Sequence, residues 1–242
     1  TMSIKNIIVI GGSGSIGSAL SKELKKNNYE PILIARNEEN LKKISNELNC
    51  KYFVGDVLKI DSIDKIIKNL GDNIHGLAYC VGSINLRPIS LTKDEDYIES
   101  FKINTLGAIN AIKLALPSLK KNKGSILLYS TVAVKQGFVN HTVISTAKGA
   151  VEGLTLSLAA ELAPTIRVNC IAPSLTNSNM TNSIISNINL KKAIEVMHPI
   201  PKIGEGDDFS HIGAFLLSEK NKWMTGQILH IDGGRSTLRI KS

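Results

Sequence analysis

The chain of 242 residues has few cysteines, few aromatic residues and no long apolar run. Cys50, Cys80 and Cys170 are odd in number and far apart in apolar stretches, which argues against a disulfide framework or a metal site. No apolar run approaches the roughly 18 residues of a membrane span, so membrane insertion is not expected. No charged, cleavable leader follows Met2, and we expect a cytoplasmic protein with buried, reduced thiols.

The overall composition is that of a globular protein, with 43% hydrophobic and 21% charged residues. The formal net charge of +8 raises the question of nucleic acid. The lysines are scattered, however, and form no basic stripe interleaved with aromatic residues. We therefore expect a solvated surface and no nucleic-acid partner.

A strand, a tight turn and a helix are predicted at the start of the chain. The β-branched run Ile7 to Ile10 is followed by Gly12, Gly14 and Gly17 in the pattern G-x-G-x-x-G, and then by apolar residues at helical spacing. Glycines at a helix start let backbone N–H groups approach a phosphate closely. The pattern predicts a dinucleotide site contacted by Gly11, Ser13, Ser15, Ile16 and Gly17.

Strand-like and helix-like segments alternate along the rest of the chain. The predicted strands are Ile7 to Ile10, Pro31 to Ala35, Lys51 to Val54, His75 to Val81, Ser125 to Ser130, Arg167 to Ile171 and Gln227 to Ile231. Intervening helices predict right-handed crossovers, hence a single-domain α/β Rossmann fold over residues 1–242 with a doubly wound, seven-stranded parallel sheet. The irregular stretch Leu175 to Pro201 is a candidate substrate lid, polar at its start and apolar later.

Three positions after strands two to four bear on the cofactor. Arg36 stands about 20 residues after the glycines, where an acid would bind a free ribose, so it favours NADP over NAD unless it is only a surface charge. Asp56 is a candidate acceptor for the adenine amino group or a helix cap. Gly82 either allows close approach of a cofactor or permits a turn.

The chain resembles the short-chain dehydrogenase/reductase family over nearly its whole length. The motifs that carry the likeness are Gly11 to Gly17, Asp56-Val57, Asn104 to Gly107, Gly124 to Ala133, Ser145 to Ala163, Arg167 to Asn169 with Pro173, and Thr225 to Gln227 with Asp232 to Gly234. The resemblance implies hydride transfer between a nicotinamide and a carbonyl or alcohol. It also extends the implied cofactor site to Val57, Val81, Gly82, Lys148 and Pro173.

The resemblance assigns catalytic roles residue by residue. Asn104 matches the asparagine that holds a water of the proton relay, and Thr131 takes the place of the substrate-binding serine. Lys148 matches the lysine that binds the nicotinamide ribose and lowers the pKa of a tyrosine four residues earlier. Position 144 is Ile, which has no proton to donate. The chain thus resembles a subset of the family that lacks this tyrosine.

Two functional hypotheses remain open at this point. In an oxidoreductase the proton donor is relocated, and His141 is a candidate because it precedes Ile144 and Lys148 on one helical face, unless it is only an exposed residue. Tyr129 is a second candidate, on the same strand face as Thr131, unless it is packing. Alternatively, the chain is a catalytically inactive NADP-binding regulatory or structural protein.

A homotetramer is expected from the two longest predicted helices, Asp94 to Leu119 and Thr142 to Leu162. They carry apolar and small residues around much of their circumference, namely Ala108, Ala111, Ala115, Ala150, Gly153, Leu154 and Leu158. In the resembling family these helices pair across a two-fold axis.

Overall fold

The computed structural model describes residues 4–239 and contains one sheet of seven strands. The strands are β1 (Lys5–Ile10), β2 (Tyr29–Ala35), β3 (Tyr52–Val54), β4 (Gly76–Tyr79), β5 (Ser125–Tyr129), β6 (Arg167–Pro173) and β7 (Ile228–Ile231). All pairs are parallel, in the order β3-β2-β1-β4-β5-β6-β7. The predicted doubly wound parallel sheet is confirmed.

Ten α-helices of the described residues connect and cover these strands. They are α1 (Ser15–Lys26), α2 (Glu38–Leu48), α3 (Ile60–Leu70), α4 (Asp94–Phe101), α5 (Gly107–Lys121), α6 (Val132–Lys135), α7 (Thr142–Leu162), α8 (Asn182–Ile185), α9 (Ile188–Glu195) and α10 (Gly206–Leu217). Since β2 and β4 flank β1 on opposite sides, the chain reverses its winding direction there. Such a switch point opens a crevice at the carboxyl ends of the strands.

Both faces of the sheet are buried, which explains the continuous apolar runs of the strands. One core, formed with α3, α5 and α7, contains Ile8, Ile10 and Leu128, and the other, formed with α1 and α10, contains Val9 and Tyr129. The first core also buries Ala108, Ala111 and Ala115. These three alanines, which entered the argument for a tetramer, therefore pack against the chain's own sheet.

The predicted helix from Asp94 to Leu119 contains a π-helical turn, Lys102–Leu106, between α4 and α5. Tyr79 at the end of β4 donates a hydrogen bond of 2.6 Å from its hydroxyl to the carbonyl oxygen of Ile103. Gly107 leaves the space for this contact, since a Cβ there would lie 2.3 Å from the Tyr79 hydroxyl oxygen. The tyrosine thus provides a hydrogen-bond donor for a carbonyl group of the π-helical turn. Such turns often mark functional sites.

The candidate lid, residues 175–201, contains the short helices α8 and α9. Its first half is anchored where the Thr181 hydroxyl donates to the carbonyl oxygen of Thr176 over 2.6 Å, and Thr176 forms a bridge with Gly204. The later apolar side chains are largely exposed, including Ile188 and Val196. None of the helices in the described part of the chain is long and apolar enough to cross a membrane.

Candidate cofactor and active site

The turn between β1 and α1 is too tight for a side chain at three of its glycines, Gly11, Gly12 and Gly17. Gly11 has a φ of +83°, and a Cβ on Gly17 would lie 2.3 Å from the carbonyl oxygen of Gly11. A Cβ on Gly14 would have its nearest neighbour 3.4 Å away. Helix α1 begins after Gly14 with no acidic residue in its first turn, so its unpaired N–H groups offer a favourable environment for an anion.

A cavity of about 860 Å³ connects this turn to the carboxyl ends of β4, β5 and β6. Seven of the predicted cofactor residues line it: Ser13, Ser15, Ile16, Val81, Gly82, Lys148 and Pro173. The predicted catalytic residues Thr131 and His141 line it as well, together with Ile144. The structure therefore brings the phosphate turn and the catalytic positions into one continuous space.

Lys148 is a buried cation in the wall of this cavity. Its Nζ donates a hydrogen bond of 2.8 Å to the carbonyl oxygen of Tyr129. Burial lowers the pKa of Lys148 from its usual 10.5 to about 8, because the charged form loses hydration. Ile144 lies one helical turn earlier on α7, also buried, and presents hydrocarbon to the same space.

Asn104 lies behind the cavity wall, in the π-helical turn, and is fully buried. Its side-chain amide donates to the carbonyl oxygen of Ser100 (2.9 Å), and its Oδ1 accepts the N–H of Ser83. A Cβ at Gly82 would lie 3.2 Å from that Oδ1 and 3.7 Å from the Nζ of Lys148. Glycine at position 82 thus leaves room where the asparagine and the lysine converge.

Thr131 and His141 reach the cavity from loop ends. Thr131 precedes α6, and its hydroxyl accepts the N–H of Ala133 over 3.3 Å. His141 immediately precedes α7, with its Nδ1 2.7 Å from the carbonyl oxygen of Val139. If Nδ1 carries the proton of that hydrogen bond, Nε2 is the ring atom that exchanges a proton with a ligand.

Five predicted cofactor residues do not line the cavity: Gly11, Gly17, Arg36, Asp56 and Val57. The two glycines shape the turn, and Arg36 is exposed just beyond β2. The Asp56 carboxylate accepts the N–H of Leu58 over 3.0 Å, and Lys59, not Asp56, caps α3. Val57 packs against the core on the side of α3 and α5. The helix-cap interpretation of Asp56 is therefore wrong.

The strand alternation that was expected to place Tyr129 and Thr131 on one face does not reach Thr131, because β5 ends at Tyr129 and Thr131 precedes α6. The Tyr129 side chain belongs to the core formed with α1 and α10. Its buried hydroxyl has no hydrogen-bond partner among residues 4–239 and lies 3.3 Å from where a Cβ at Gly213 would be. Burial also raises the pKa of Tyr129, and its side chain packs in this core although the residue contributes to the cavity lining.

Two features of the cavity were missed from the sequence. The Oγ of Ser174 lies 2.7 Å from Nε2 of the buried His198, whose Nδ1 is 2.9 Å from the carbonyl oxygen of Ile194. Arg235, after β7, also lines the cavity.

Comparison with known proteins gives a family match over nearly the whole chain. A family model described as enoyl-(acyl carrier protein) reductase matches residues 11–236. The human 3-oxoacyl-[acyl-carrier-protein] reductase is 30% identical and aligns over 93% of this chain and 95% of its own length. A short-chain type dehydrogenase/reductase from Mycobacterium ulcerans superposes with a TM-score of 0.90 at 25% identity, over 98% of this chain and 92% of that one.

The chain belongs to the short-chain dehydrogenase/reductase family. The structure of ElxO with NADP bound is similar as well, with a TM-score of 0.90, 27% identity and coverage of 98% of this chain and 100% of that one. By this resemblance the protein is an NAD(P)-dependent oxidoreductase acting on small molecules. Position 144 of this short-chain dehydrogenase/reductase, which lies within the range that the family model matches, is isoleucine.

Burial of Lys148 gives this family member a testable pH dependence. Because folding lowers the lysine pKa, the unfolded chain binds more protons between about pH 8 and 10.5, and stability rises with pH there. Lys148→Met removes the cost of burying the charged lysine, so the variant should be more stable than the parent at pH 7. We expect the difference in free energy of unfolding between variant and parent to become smaller by about 2–3 kcal/mol from pH 7 to pH 10, because the parent's lysine loses its charge over that range. Urea unfolding measures this, with Lys135→Met on the surface as the control; a pH-independent difference would contradict the burial argument.

Proposed function

We propose that the protein is an NADP-dependent oxidoreductase that transfers hydride between the nicotinamide and a carbonyl or alcohol group of a small substrate. The observation that carries this proposal is the single cavity that contains both the glycine turn and Lys148. The family's reductase relatives support the same reaction class. Turnover of NADPH across a panel of carbonyls, alcohols and enones tests it.

The residues present fit a nicotinamide dinucleotide. Gly11 and Gly17 shape a cradle that a Cβ at position 17 would fill, and the first turn of α1 offers backbone N–H groups to a pyrophosphate. At the other end, the Lys148 ammonium is buried beside the cavity, where ribose hydroxyls are suitable acceptors. When bound, the cofactor supplies or accepts the hydride.

The protein's own groups hold the substrate carbonyl and its proton. The Thr131 hydroxyl is a hydrogen-bond donor for the carbonyl oxygen. The Lys148 charge, in a poorly hydrated site, stabilises negative charge that develops there. Because Ile144 offers no proton, we assign proton donation to His141 through Nε2, and Asn104 positions the backbone around Gly82 and Ser83.

Arg36 supports NADP rather than NAD. We expect Arg36→Ala to weaken NADPH binding by about 10- to 150-fold, corresponding to about 1.5–3 kcal/mol for a hydrogen bond to a charged group, and to leave NADH binding unchanged. Fluorescence titration of both cofactors measures this, and Lys43→Ala, another exposed cation on the following helix, is the control. Equal loss for both cofactors, or no loss for either, would refute the phosphate assignment.

An inactive NADP-binding protein is the second candidate function, and Ile144 is the observation that favours it. Both functions require the glycine turn and Lys148, so cofactor binding does not separate them. An enzyme oxidises NADPH in the presence of at least one carbonyl, whereas a binding protein leaves it unchanged across the panel. The proposals below assume the enzyme.

We assign a homotetramer to the protein because α4, the π-helical turn and α7 expose apolar side chains that the chain itself does not cover: Ile98, Phe101, Leu106 and Leu156.

The proposal also includes a substrate lid and a cellular location. Residues 175–201 form a lid that closes over the substrate. A reducing compartment such as the cytoplasm suits the three free thiols.

A further inference from the structure

Arg235 is a cavity-lining cation that the proposed reaction does not use. Its guanidinium carbon lies 4.5 Å above the centre of the Phe138 ring, and one of its nitrogens is 3.4 Å from the sulfur of Met197. Phe138 in turn packs edge-on against the His141 ring, with centroids 5.3 Å apart. The side chain is thus held in place by an aromatic face and a thioether.

No carboxylate of residues 4–239 forms an ion pair with Arg235. The neighbouring Asp232 accepts the backbone N–H groups of Gly234 and Ser236 with its two oxygens. A thioether is a weak acceptor, so most of the five guanidinium N–H donors lack a strong partner within the described residues. Partial burial also lowers the pKa of Arg235. A planar anion in the cavity would satisfy this fork in bidentate geometry.

Arg235 and Lys148 line the same cavity, so one ligand can reach both. Lys148 and Ile144 lie one helical turn apart on α7, His141 immediately precedes that helix, and Phe138 contacts both the His141 ring and the Arg235 guanidinium. At 1.5 Å per residue, the backbone at His141 is about 10 Å from that at Lys148. Ile144 and Phe138 also line the cavity and give it apolar surface on which a hydrocarbon chain can pack.

We propose that Arg235 binds the carboxylate of an oxo-acid substrate whose carbonyl, several methylene groups away, lies at Thr131 and Lys148. This inference rests on the proposed function and names its substrate class. Arg235 is then a specificity-determining residue: it selects an anionic group remote from the reacting carbon. The interaction strengthens binding in the ground state and the transition state alike, so its loss raises KM more than it lowers kcat.

The test uses a matched pair of ligands, a methyl ketone that ends in a carboxylate four methylene groups away and the corresponding primary amide. Calorimetry on the NADPH-saturated protein measures binding of each, and steady-state kinetics follow where turnover occurs. We expect the parent to bind the acid at least 10-fold more tightly than the amide. Arg235→Leu should remove this preference, Arg235→Lys should retain part of it, and the exposed Lys65→Gln should leave it unchanged.

Each other outcome counts against the carboxylate site. If the parent binds acid and amide equally, Arg235 does not recognise an anion. If Arg235→Leu weakens both ligands equally, the residue only supports Phe138, and the proposal is also wrong. Absence of turnover with both ligands would count against the proposed oxidoreductase function, while the binding comparison still decides whether Arg235 selects a carboxylate.

Discussion

Ile144→Tyr is expected to raise the kcat for ketone reduction by up to about 10²- to 10⁴-fold, the full contribution of a general acid, because His141 lies farther along the chain from Lys148 than position 144 does. Ile144 is buried, lines the cavity and lies one helical turn before Lys148. A phenol there would have its pKa lowered by the lysine charge and would sit where the family places its proton donor. The measurement is NADPH oxidation with a simple ketone, at fixed pH and saturating cofactor.

Ile144→Phe is the matched control, because it adds the ring without the hydroxyl. Both aromatic variants risk overpacking, so thermal unfolding and NADPH titration must accompany the assay. In the parent, His141→Ala should remove most of the remaining activity, whereas in the Ile144→Tyr background it should matter little. A folded, NADPH-binding Ile144→Tyr variant no faster than the Phe control would show that position 144 does not limit proton transfer.

Gly17→Ala is expected to abolish measurable NADPH binding and to lower the free energy of unfolding by about 1–3 kcal/mol or more. The new Cβ would lie 2.3 Å from the Gly11 carbonyl oxygen and 3.0 Å from the Cα of Gly12, and both neighbours are backbone. Helix α1 must therefore move away from β1, at an overpacking cost of about 1–3 kcal/mol or more. The same movement displaces the N–H groups that hold the pyrophosphate.

Gly14→Ala is the control for this substitution, since its Cβ would meet its nearest atom at an ordinary contact distance of 3.4 Å. Its effect on stability should stay near or below about 1 kcal/mol, the scale of a helix-cap change. Urea denaturation and cofactor titration distinguish the two variants. Equal stability of Gly17→Ala and Gly14→Ala would mean that the turn is looser than its contacts indicate.

The order of strands and helices was predictable because the signals are local. Continuous apolar runs such as Ile7 to Ile10 and Ile32 to Ile34 alternate with segments of helical spacing, and a parallel sheet covered by helices buries both faces of such strands. The π-helical turn was not predictable from these signals. It depends on the Tyr79 hydroxyl and the Ile103 carbonyl, which are 24 residues apart in sequence.

The residues of the candidate site were likewise predictable where their signals are local and not where they depend on the tertiary structure. The glycine turn, Lys148, Thr131 and His141 follow from motifs and helical spacing, and all line or shape the cavity. Arg235 and the Ser174–His198 pair depend on which segments the tertiary structure brings to the strand ends. The sequence does not show which apolar residues of α5 meet the sheet, because the helix is apolar around much of its circumference; in the structure its alanines do.

Transfer of deuterium from C4 of the NADPH nicotinamide to a ketone carbon, followed by mass spectrometry of the product alcohol, tests the proposed reaction most directly. The proposal predicts labelled alcohol from the parent protein at a slow rate, and the same label at a much higher rate from Ile144→Tyr. Bound NADPH with no labelled alcohol from either protein, over a panel that includes the oxo-acid, would contradict it and favour the inactive binding protein.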